Sequence, residues 1–296
     1  MWEVKSIKIK AFAKVNLGLR ILEKRDDGYH NIESILQTIS LFDELNISLA
    51  AESIVVTANN PELPLDETNL CYKAADILLK RTGQKRGVII NIKKNIPIGA
   101  GLGGGSSDAA SVLTGLNLLL SLSLNKEELR KIAVSIGSDV PFFIDGGTAF
   151  VSGRGEKIEP INKKIRFNYL IVFPGFSIDT KWAYEKINFL TKRENYITIF
   201  NCYFNDSNSG NLELLLKNDF EEVMLGEYVE LKKVRRFLIQ NGAVSVSLSG
   251  SGSSIFGIFD DIMKMDNALS FFAGKGYWAK EAFSIRSSEI PQFALE

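Results

Sequence analysis

From Ser6 to Leu22 apolar and polar positions alternate, with Ile7, Ile9, Ala11, Ala13, Val15, Leu17 and Leu19 on one side of an extended chain. That period of two predicts a strand. Lys14, Asn16 and Gly18 interrupt the simple pattern, and Lys14 taken alone reads as a solvent-facing strand residue. Lys24-Arg25-Asp26-Asp27-Gly28-Tyr29-His30 follows, and its Asp-Gly pair predicts a hairpin turn. Two strands are expected over 33–41 and 44–50, a short one over Ile54–Thr57, and a proline-bearing loop over Pro61–Asp66. Thr68 or Asn69 then caps a helix that carries Leu70, Ala74, Ile77 and Leu78 on one face and stops at Gly83. An apolar run, Val88–Ile92, precedes a glycine-rich stretch, after which helix formers run from Ser106 to Leu120. Asn125 with Glu128 reads as a capping pair for a helix that ends at Gly137.

Beyond it, Gly146-Gly147 and Gly153-Arg154-Gly155 flank a strand over Thr148–Val151. Composition turns polar over 157–165, which places a domain boundary there and divides residues 1–160 from 161–296. The second part opens with a strand, Tyr169–Phe173, and a helix from Thr180 that carries Trp182, Ala183 and Tyr184. A loop with a short irregular element is expected over 191–211, then helices over Phe220–Leu225 and Glu230–Gln240. Strands at Ala243–Leu248 and Ile255–Phe259 flank Ser249-Gly250-Ser251-Gly252-Ser253-Ser254. That stretch reads equally as a hairpin turn or as a second phosphate neighbour. Helices and strands intermix without strict alternation, so the fold class is α+β.

At 296 residues the chain is long for one core and suggests two domains. Lysine plus arginine and aspartate plus glutamate both number 35, so no bulk field favours nucleic acid or a membrane surface. The two cysteines, Cys71 and Cys202, fit a reducing compartment and not a disulfide framework. The opening Met1-Trp2-Glu3-Val4-Lys5 lacks an apolar signal core, and no apolar run reaches membrane length. The expected location is the cytoplasm.

The candidate chemistry centres on Pro97-Ile98-Gly99-Ala100-Gly101-Leu102-Gly103-Gly104-Gly105-Ser106-Ser107, where five of eleven residues are glycine. Glycine lets backbone N–H groups approach a ligand closely, and the helix behind it adds unpaired donors and a positive dipole end. Phosphate is the most economical ligand. Gly99, Gly101 and Gly104 satisfy G-x-G-x-x-G, but the acid a dinucleotide fold wants about 20 residues later is missing, as is the Walker lysine. The single histidine, His30, lies in no His-Arg-Asp loop, so the protein-kinase set is excluded, and one histidine without other ligands builds no metal site. By composition His30 is a surface-turn residue. Asp139, in Gly137-Ser138-Asp139-Val140-Pro141-Phe142-Phe143, is either the cap of a short helical turn or a partly buried carboxylate with a perturbed pKa.

Taken together these stretches resemble the GHMP kinases, the family of galactokinase, homoserine kinase, mevalonate kinase and phosphomevalonate kinase. Pro97–Ser107 with Asp108-Ala109-Ala110 is similar to the family's central motif, Ser249-Gly250-Ser251-Gly252 to its C-terminal glycine-rich motif, and Lys14-Val15-Asn16-Leu17 to its first. Arg25-x-Asp27-Gly28-Tyr29-His30, Gly137–Phe143, Pro174-Gly175 with Thr180, and Asp219-Phe220 ahead of Glu221 narrow the match to the branch with a cytidyl-diphosphate acceptor. The resemblance implies a two-domain fold, with the active site in the cleft between an ATP-binding domain (1–160) and a substrate-binding domain (161–296).

It implies transfer of the γ-phosphoryl of ATP to the 2-hydroxyl of 4-diphosphocytidyl-2-C-methyl-D-erythritol, a step of the non-mevalonate isoprenoid route. Asp139 would accept or orient the hydroxyl proton beside Lys14, and Pro97–Ser107 would cradle the nucleotide's phosphates. Asn69 would lie near the adenine. Tyr29, His30 and Tyr184 would recognise the cytosine, and Asn16 and Thr180 the polyol and diphosphate. Mg²⁺ is implied with ATP, with Ser107 as the hydroxyl that touches it. The expected protein is a monomer or homodimer without nucleic-acid or membrane partners. The alternatives are another small-molecule kinase of the family, for a mevalonate-type alcohol, and a nucleotide-binding module without catalysis.

Overall fold

The computed structural model describes residues 6–187 and 212–290 and the backbone of Ala294–Leu295. The irregular element expected over 191–211, and with it Cys202, lies outside the described residues. Strands β1 (Ser6–Lys24) and β2 (His30–Ala50) form one long antiparallel hairpin, closed by the Asp-Gly turn with Lys24 opposite His30. β2 is a single strand where two were expected. Its first half pairs with β5 (Thr148–Gly153) and its second half with β4 (Gly87–Lys93), so one bent strand serves two partners along one edge. The bend is absorbed where Phe12 pairs with Phe42 and Lys14 with Thr38, a register shift of the bulge type.

β3 (Ile54–Ala58) joins β4 in parallel through helix α1 (Leu70–Arg81), and β6 (Lys157–Pro160) adds to β5. With β11 (Ala294–Leu295) on the outer edge of β1, the sheet has seven strands among the described residues. Helices α1, α2 (Gly104–Leu119) and α3 (Lys126–Ala133) cover one face over a core that includes Ile7, Ile9, Ile47, Ile90, Leu78, Leu113 and Leu116. Asn125 and Glu128 form the expected capping box of α3. α2 begins at Gly104, inside the glycine run and ahead of the expected start. α3 stops at Ala133, and single turns carry the chain on to Ile136.

A short helix, α4 (Phe142–Asp145), leads into β5. The second sheet is antiparallel, in the order β10 (Trp278–Phe283), β7 (Asn168–Phe173), β9 (Ile255–Phe259), β8 (Ser245–Leu248). Its helices are α5 (Thr180–Glu185), α6 (Leu212–Leu215), α7 (Phe220–Glu227), α8 (Val229–Gln240) and α9 (Ile262–Gly274). Sequence patterning did not anticipate β6, α9 or β10, although Asp261 caps α9 and Met265, Ala268 and Phe272 give it a buried face at helical spacing. The short helical turn expected after Asp139 is α4, but its N-cap is Pro141.

A further apolar cluster lies between the two sheets and joins Ala13, Val15, Leu17, Ile35 and Leu102 to Tyr169, Ile171, Phe256 and Ile258. β1 is therefore covered on both faces from Ala11 to Ile21, and its polar residues Lys14, Asn16 and Arg20 are buried. Backbone bonds also cross between the halves. Leu19 N–H donates to the Lys217 carbonyl (3.0 Å), Asp219 N–H to Leu19 (2.9 Å), and Ile285 N–H to Thr38 (2.9 Å).

Candidate active site

The glycine loop follows β4 and is anchored by Ile96, Ala100 and Leu102, all buried in the cluster between the sheets. Between these anchors Gly99, Gly101 and Gly103 take φ of 65°, 77° and 71°. Gly101 meets a second demand. A Cβ there would stand 2.1 Å from the Ser249 carbonyl oxygen and 2.8 Å from that of Gly252, so the loop touches the turn between β8 and β9 backbone to backbone. Gly103 is the N-cap of α2 and supplies no side-chain acceptor. The first N–H groups of α2 therefore have no side-chain cap and stand as donors at the positive end of the helix.

Lys14 closes one side of this loop. It is buried, not solvent-facing, and its Nζ donates to Asn16 Oδ1 (2.5 Å) and to the Gly101 carbonyl (2.8 Å). Its backbone N–H donates to Leu102 (2.9 Å), which fixes β1 against the loop. Burial lowers the Lys14 pKa, and the nearby Asp139 carboxylate acts in the opposite sense. Asp139 is half-buried in the turn between α3 and α4, and its charge reaches both Lys14 and the Tyr184 hydroxyl. Asn16 donates in turn to Ser34 Oγ (2.8 Å), and Ser34 to the Gly18 carbonyl (2.6 Å), so the amide is held in one orientation.

The second glycine-serine stretch is a hairpin turn folded onto the first. Ser249 Oγ donates to the Gly101 carbonyl (2.9 Å) and Ser254 N–H to Ala100 (3.1 Å). Asn218, which sequence reasoning did not single out, donates to the Leu248 and Gly250 carbonyls, each at 2.8 Å. Thr180 and Ser251 hydroxyls meet at 3.1 Å. A cavity of about 940 Å³ opens where the halves meet, with Asn95, Pro97 and Ile98 on one side and Phe173, Phe176 and Tyr277 on the other.

The aromatic residues separate into two groups. His30 lies face to face with Tyr184 (ring centroids 5.1 Å apart, planes 9° apart), and Tyr184 is packed edge-on against Phe220. Burial, followed by the charge of Lys24, lowers the His30 pKa, which keeps the ring neutral with one donor and one acceptor. Tyr29 stands outside that stack at 58% exposure, with the Arg154 guanidinium 4.6 Å from its ring centroid. Arg154 was not foreseen, because contact between its turn and the Tyr29 turn depends on the pairing of β5 with β2.

Asn69 is the N-cap of α1. Its carboxamide accepts from Cys71 N–H (2.7 Å) and donates to the Pro64 carbonyl (2.6 Å), so its side chain shapes the wall next to Leu70. Ser107 is buried in the first turns of α2. Among the described residues no group of three or more His, Cys, Asp or Glu side chains gathers to hold a metal ion.

Beneath the loop lies a triad that sequence reasoning also missed. Lys94 Nζ pairs with Asp43 Oδ2 and, at 2.8 Å, with Asp108 Oδ2, and all three side chains are almost wholly buried. Asp43 Oδ1 accepts the N–H groups of Asn95 (2.5 Å) and Ile96 (2.9 Å). Burial pushes the Asp108 carboxyl up to about 7, with Lys94 pulling it down and Asp43 adding to the rise.

Residues 69–147 match the family model of the GHMP kinases N terminal domain, and residues 206–277 that of the GHMP kinases C terminal. The chain is 44% identical over 276 residues to the 4-diphosphocytidyl-2-C-methyl-D-erythritol kinase of Thermodesulfovibrio yellowstonii, covering 92% of this chain and 95% of that one. It is 40% identical over 293 residues to the enzyme of the same name from Chlorobium phaeobacteroides, covering 98% and 99%. A crystal structure of a 4-(cytidine 5'-diphospho)-2C-methyl-D-erythritol kinase superposes with a TM-score of 0.78 at 32% identity, covering 94% of this chain and 99% of that one. Homoserine kinase from Cytophaga hutchinsonii shares the fold, with a TM-score of 0.75 at 18% identity over 98% and 97% of the two chains. With the glycine loop, the buried Lys14 and the turn between β8 and β9 arranged as described, this chain belongs to the GHMP kinase family, among its 4-diphosphocytidyl-2-C-methyl-D-erythritol kinases.

Proposed function

We propose that this ATP-dependent kinase transfers the γ-phosphoryl group of ATP to the 2-hydroxyl of 4-diphosphocytidyl-2-C-methyl-D-erythritol. The observation that carries the catalytic reading is the meeting of Lys14, the Gly101 carbonyl and the charge of Asp139 at one edge of the glycine loop. Phosphoryl transfer asks mainly for positioning and charge stabilisation. The N–H groups of the loop and of the start of α2 bind the nucleotide's phosphates. Lys14, held by Asn16 and Gly101, stabilises charge on the transferring group. Asp139 accepts or orients the proton of the attacking hydroxyl.

His30 and Tyr184 read the cytosine, His30 through its ring nitrogens and Tyr184 by its face, with Tyr29 packing nearby. Thr180 and Asn16 hold the diphosphate and polyol, and Asn69 supports the adenine side of the nucleotide site. Mg²⁺ accompanies ATP and neutralises phosphate charge. The Ser107 hydroxyl is the protein group that would touch it, with phosphate oxygens and water supplying the other ligands. Residues 1–160 carry the nucleotide site, and 161–296 contribute the Tyr184 and Thr180 side of the acceptor site. The protein acts in the cytoplasm as a monomer or homodimer, without nucleic-acid or membrane partners. Among the described residues no helix is long and apolar enough to cross a membrane.

The test is ADP release from ATP·Mg²⁺ with 4-diphosphocytidyl-2-C-methyl-D-erythritol, mevalonate and galactose as parallel acceptors. Turnover with the cytidyl compound alone is expected. Turnover with mevalonate or galactose and not the cytidyl compound overturns the acceptor assignment.

A further inference from the structure

We infer that Lys94, clamped between Asp43 and Asp108, is a positioning residue that fixes the phosphate loop and thereby sets nucleotide affinity. The inference rests on the reading of Pro97–Ser107 as the nucleotide site. The loop has little means of holding its own shape: five of its residues are glycine, and the N-cap of α2 makes no side-chain hydrogen bond. Glycine loses more conformational freedom on ordering than any other residue, so a loop of this composition needs restraint from outside.

The triad supplies that restraint at both ends of the loop. On the entering limb, Asp43 holds Lys94 by its side chain and Asn95 and Ile96 by their N–H groups. On the leaving limb, Asp108 lies in α2, and Lys94 Nζ reaches it at 2.8 Å. Asp108 Oδ1 is buried without a hydrogen-bond partner, and Asp108 Oδ2 is tied to the entering limb through Lys94. The first residue of α2 rests on the same ammonium. A Cβ on Gly104 would stand 3.2 Å from Lys94 Nζ and 3.0 Å from Ile96 Cγ2. The N–H groups that open α2 are thus seated on the clamp, and a phosphate bound to them depends on the clamp for their alignment. Among the described contacts of Asp43, Lys94 and Asp108, none is with His30 or Tyr184.

The experiment compares Asp108→Ala, Asp108→Asn and the parent enzyme by calorimetric titration with ADP·Mg²⁺ and by steady-state kinetics in both substrates. Asp108→Ala is expected to raise the Kd for ADP and the KM for ATP about tenfold, equivalent to about 1.4 kcal/mol, while the KM for the cytidyl acceptor stays within about twofold. Asp108→Asn, whose carboxamide oxygen still accepts from Lys94, is expected to recover to within about threefold of the parent. If Asp108→Ala does not fold, Asp108→Leu, which fills the site and cannot accept from Lys94, is measured in its place under the same expectation. Unchanged nucleotide constants in a folded Asp108→Ala or Asp108→Leu protein, or equal rises for both substrates, would overturn the inference and leave the triad as a core ion cluster. Failure of the parent enzyme to bind ADP would instead overturn the reading of the loop.

Discussion

Two alanine substitutions four residues apart test the phosphate loop from opposite directions. In Gly101→Ala, an L residue must adopt φ +77°, at a cost of about 1–2 kcal/mol. Its Cβ also meets the Ser249 carbonyl oxygen at 2.1 Å, so the two turns must separate by well over an ångström to reach ordinary contact. That separation breaks the bonds that Lys14 and Ser249 give the Gly101 carbonyl. The first is charge-assisted and contributes about 1.5–3 kcal/mol, the second about 0.5–1.5 kcal/mol. A loss of about 3–6 kcal/mol follows, which lowers Tm on the order of 10 °C for a chain of this size. Turnover falls with it, because Lys14 loses its placement. Gly105→Ala should behave oppositely. Its φ is not positive, it lies exposed in α2, and its Cβ would find only Leu70 Cδ1 at 3.7 Å. Alanine is the better helix former by up to about 1 kcal/mol, so Tm should hold or rise slightly. The methyl nevertheless stands where the nucleotide's phosphates approach, and the KM for ATP should rise several-fold. Thermal melts and the ADP-release assay read both variants. A Gly101→Ala protein that keeps the parent Tm, or a Gly105→Ala protein that keeps the parent KM for ATP, refutes the reasoning.

Asp139→Asn should lower kcat by about 10²–10⁴, the range of general acid–base catalysis, with the KM for ATP within about twofold; near-normal turnover removes Asp139 from proton handling. His30→Ala should raise the KM for the cytidyl acceptor and spare that for ATP, and comparable effects on both would refute base recognition. Because burial and Lys24 hold its pKa below 6.5, the neutral ring predominates at pH 7, and the acceptor KM should climb only as acidification passes below that value. A climb centred above 6.5 contradicts this. Burial of Lys14 places loss of its proton below the ordinary 10.5, so activity should fall at alkaline pH earlier than an exposed lysine dictates; an alkaline limb unchanged in the residual activity of Lys14→Met assigns it to another group.

Local grammar made much of the fold legible. The Asp-Gly turn, the Asn125 and Glu128 capping box and the strand-glycine-helix sequence around Gly101 are each specified by neighbouring residues, and each is present. Features that depend on what covers a strand were not legible. Lys14 reads as exposed in an alternating strand, and only the second sheet, brought over β1, makes it a buried cation. β2 reads as two strands because Asp43 interrupts it, yet that aspartate is buried to hold Lys94 and the chain behind it. The same blindness hid the clamp, whose members are separated by 51 and 14 positions in the chain. Arg154 and Asn218 belong with these, since their partners come from distant turns.

The backbone bonds that cross between the sheets bear on how the molecule comes apart. Leu19 is hydrogen-bonded on both sides, to Lys217 and from Asp219, while Ala100 accepts from Ser254 and Thr38 from Ile285. A hinge between the halves would have to break all of these while exposing the apolar cluster that lies between them. The halves are therefore expected to unfold as one cooperative unit, and neither should hold native structure when separated from the other. Amide exchange at Leu19 and Ser254 should report global unfolding, and the cleft should exist in its working shape before either substrate arrives.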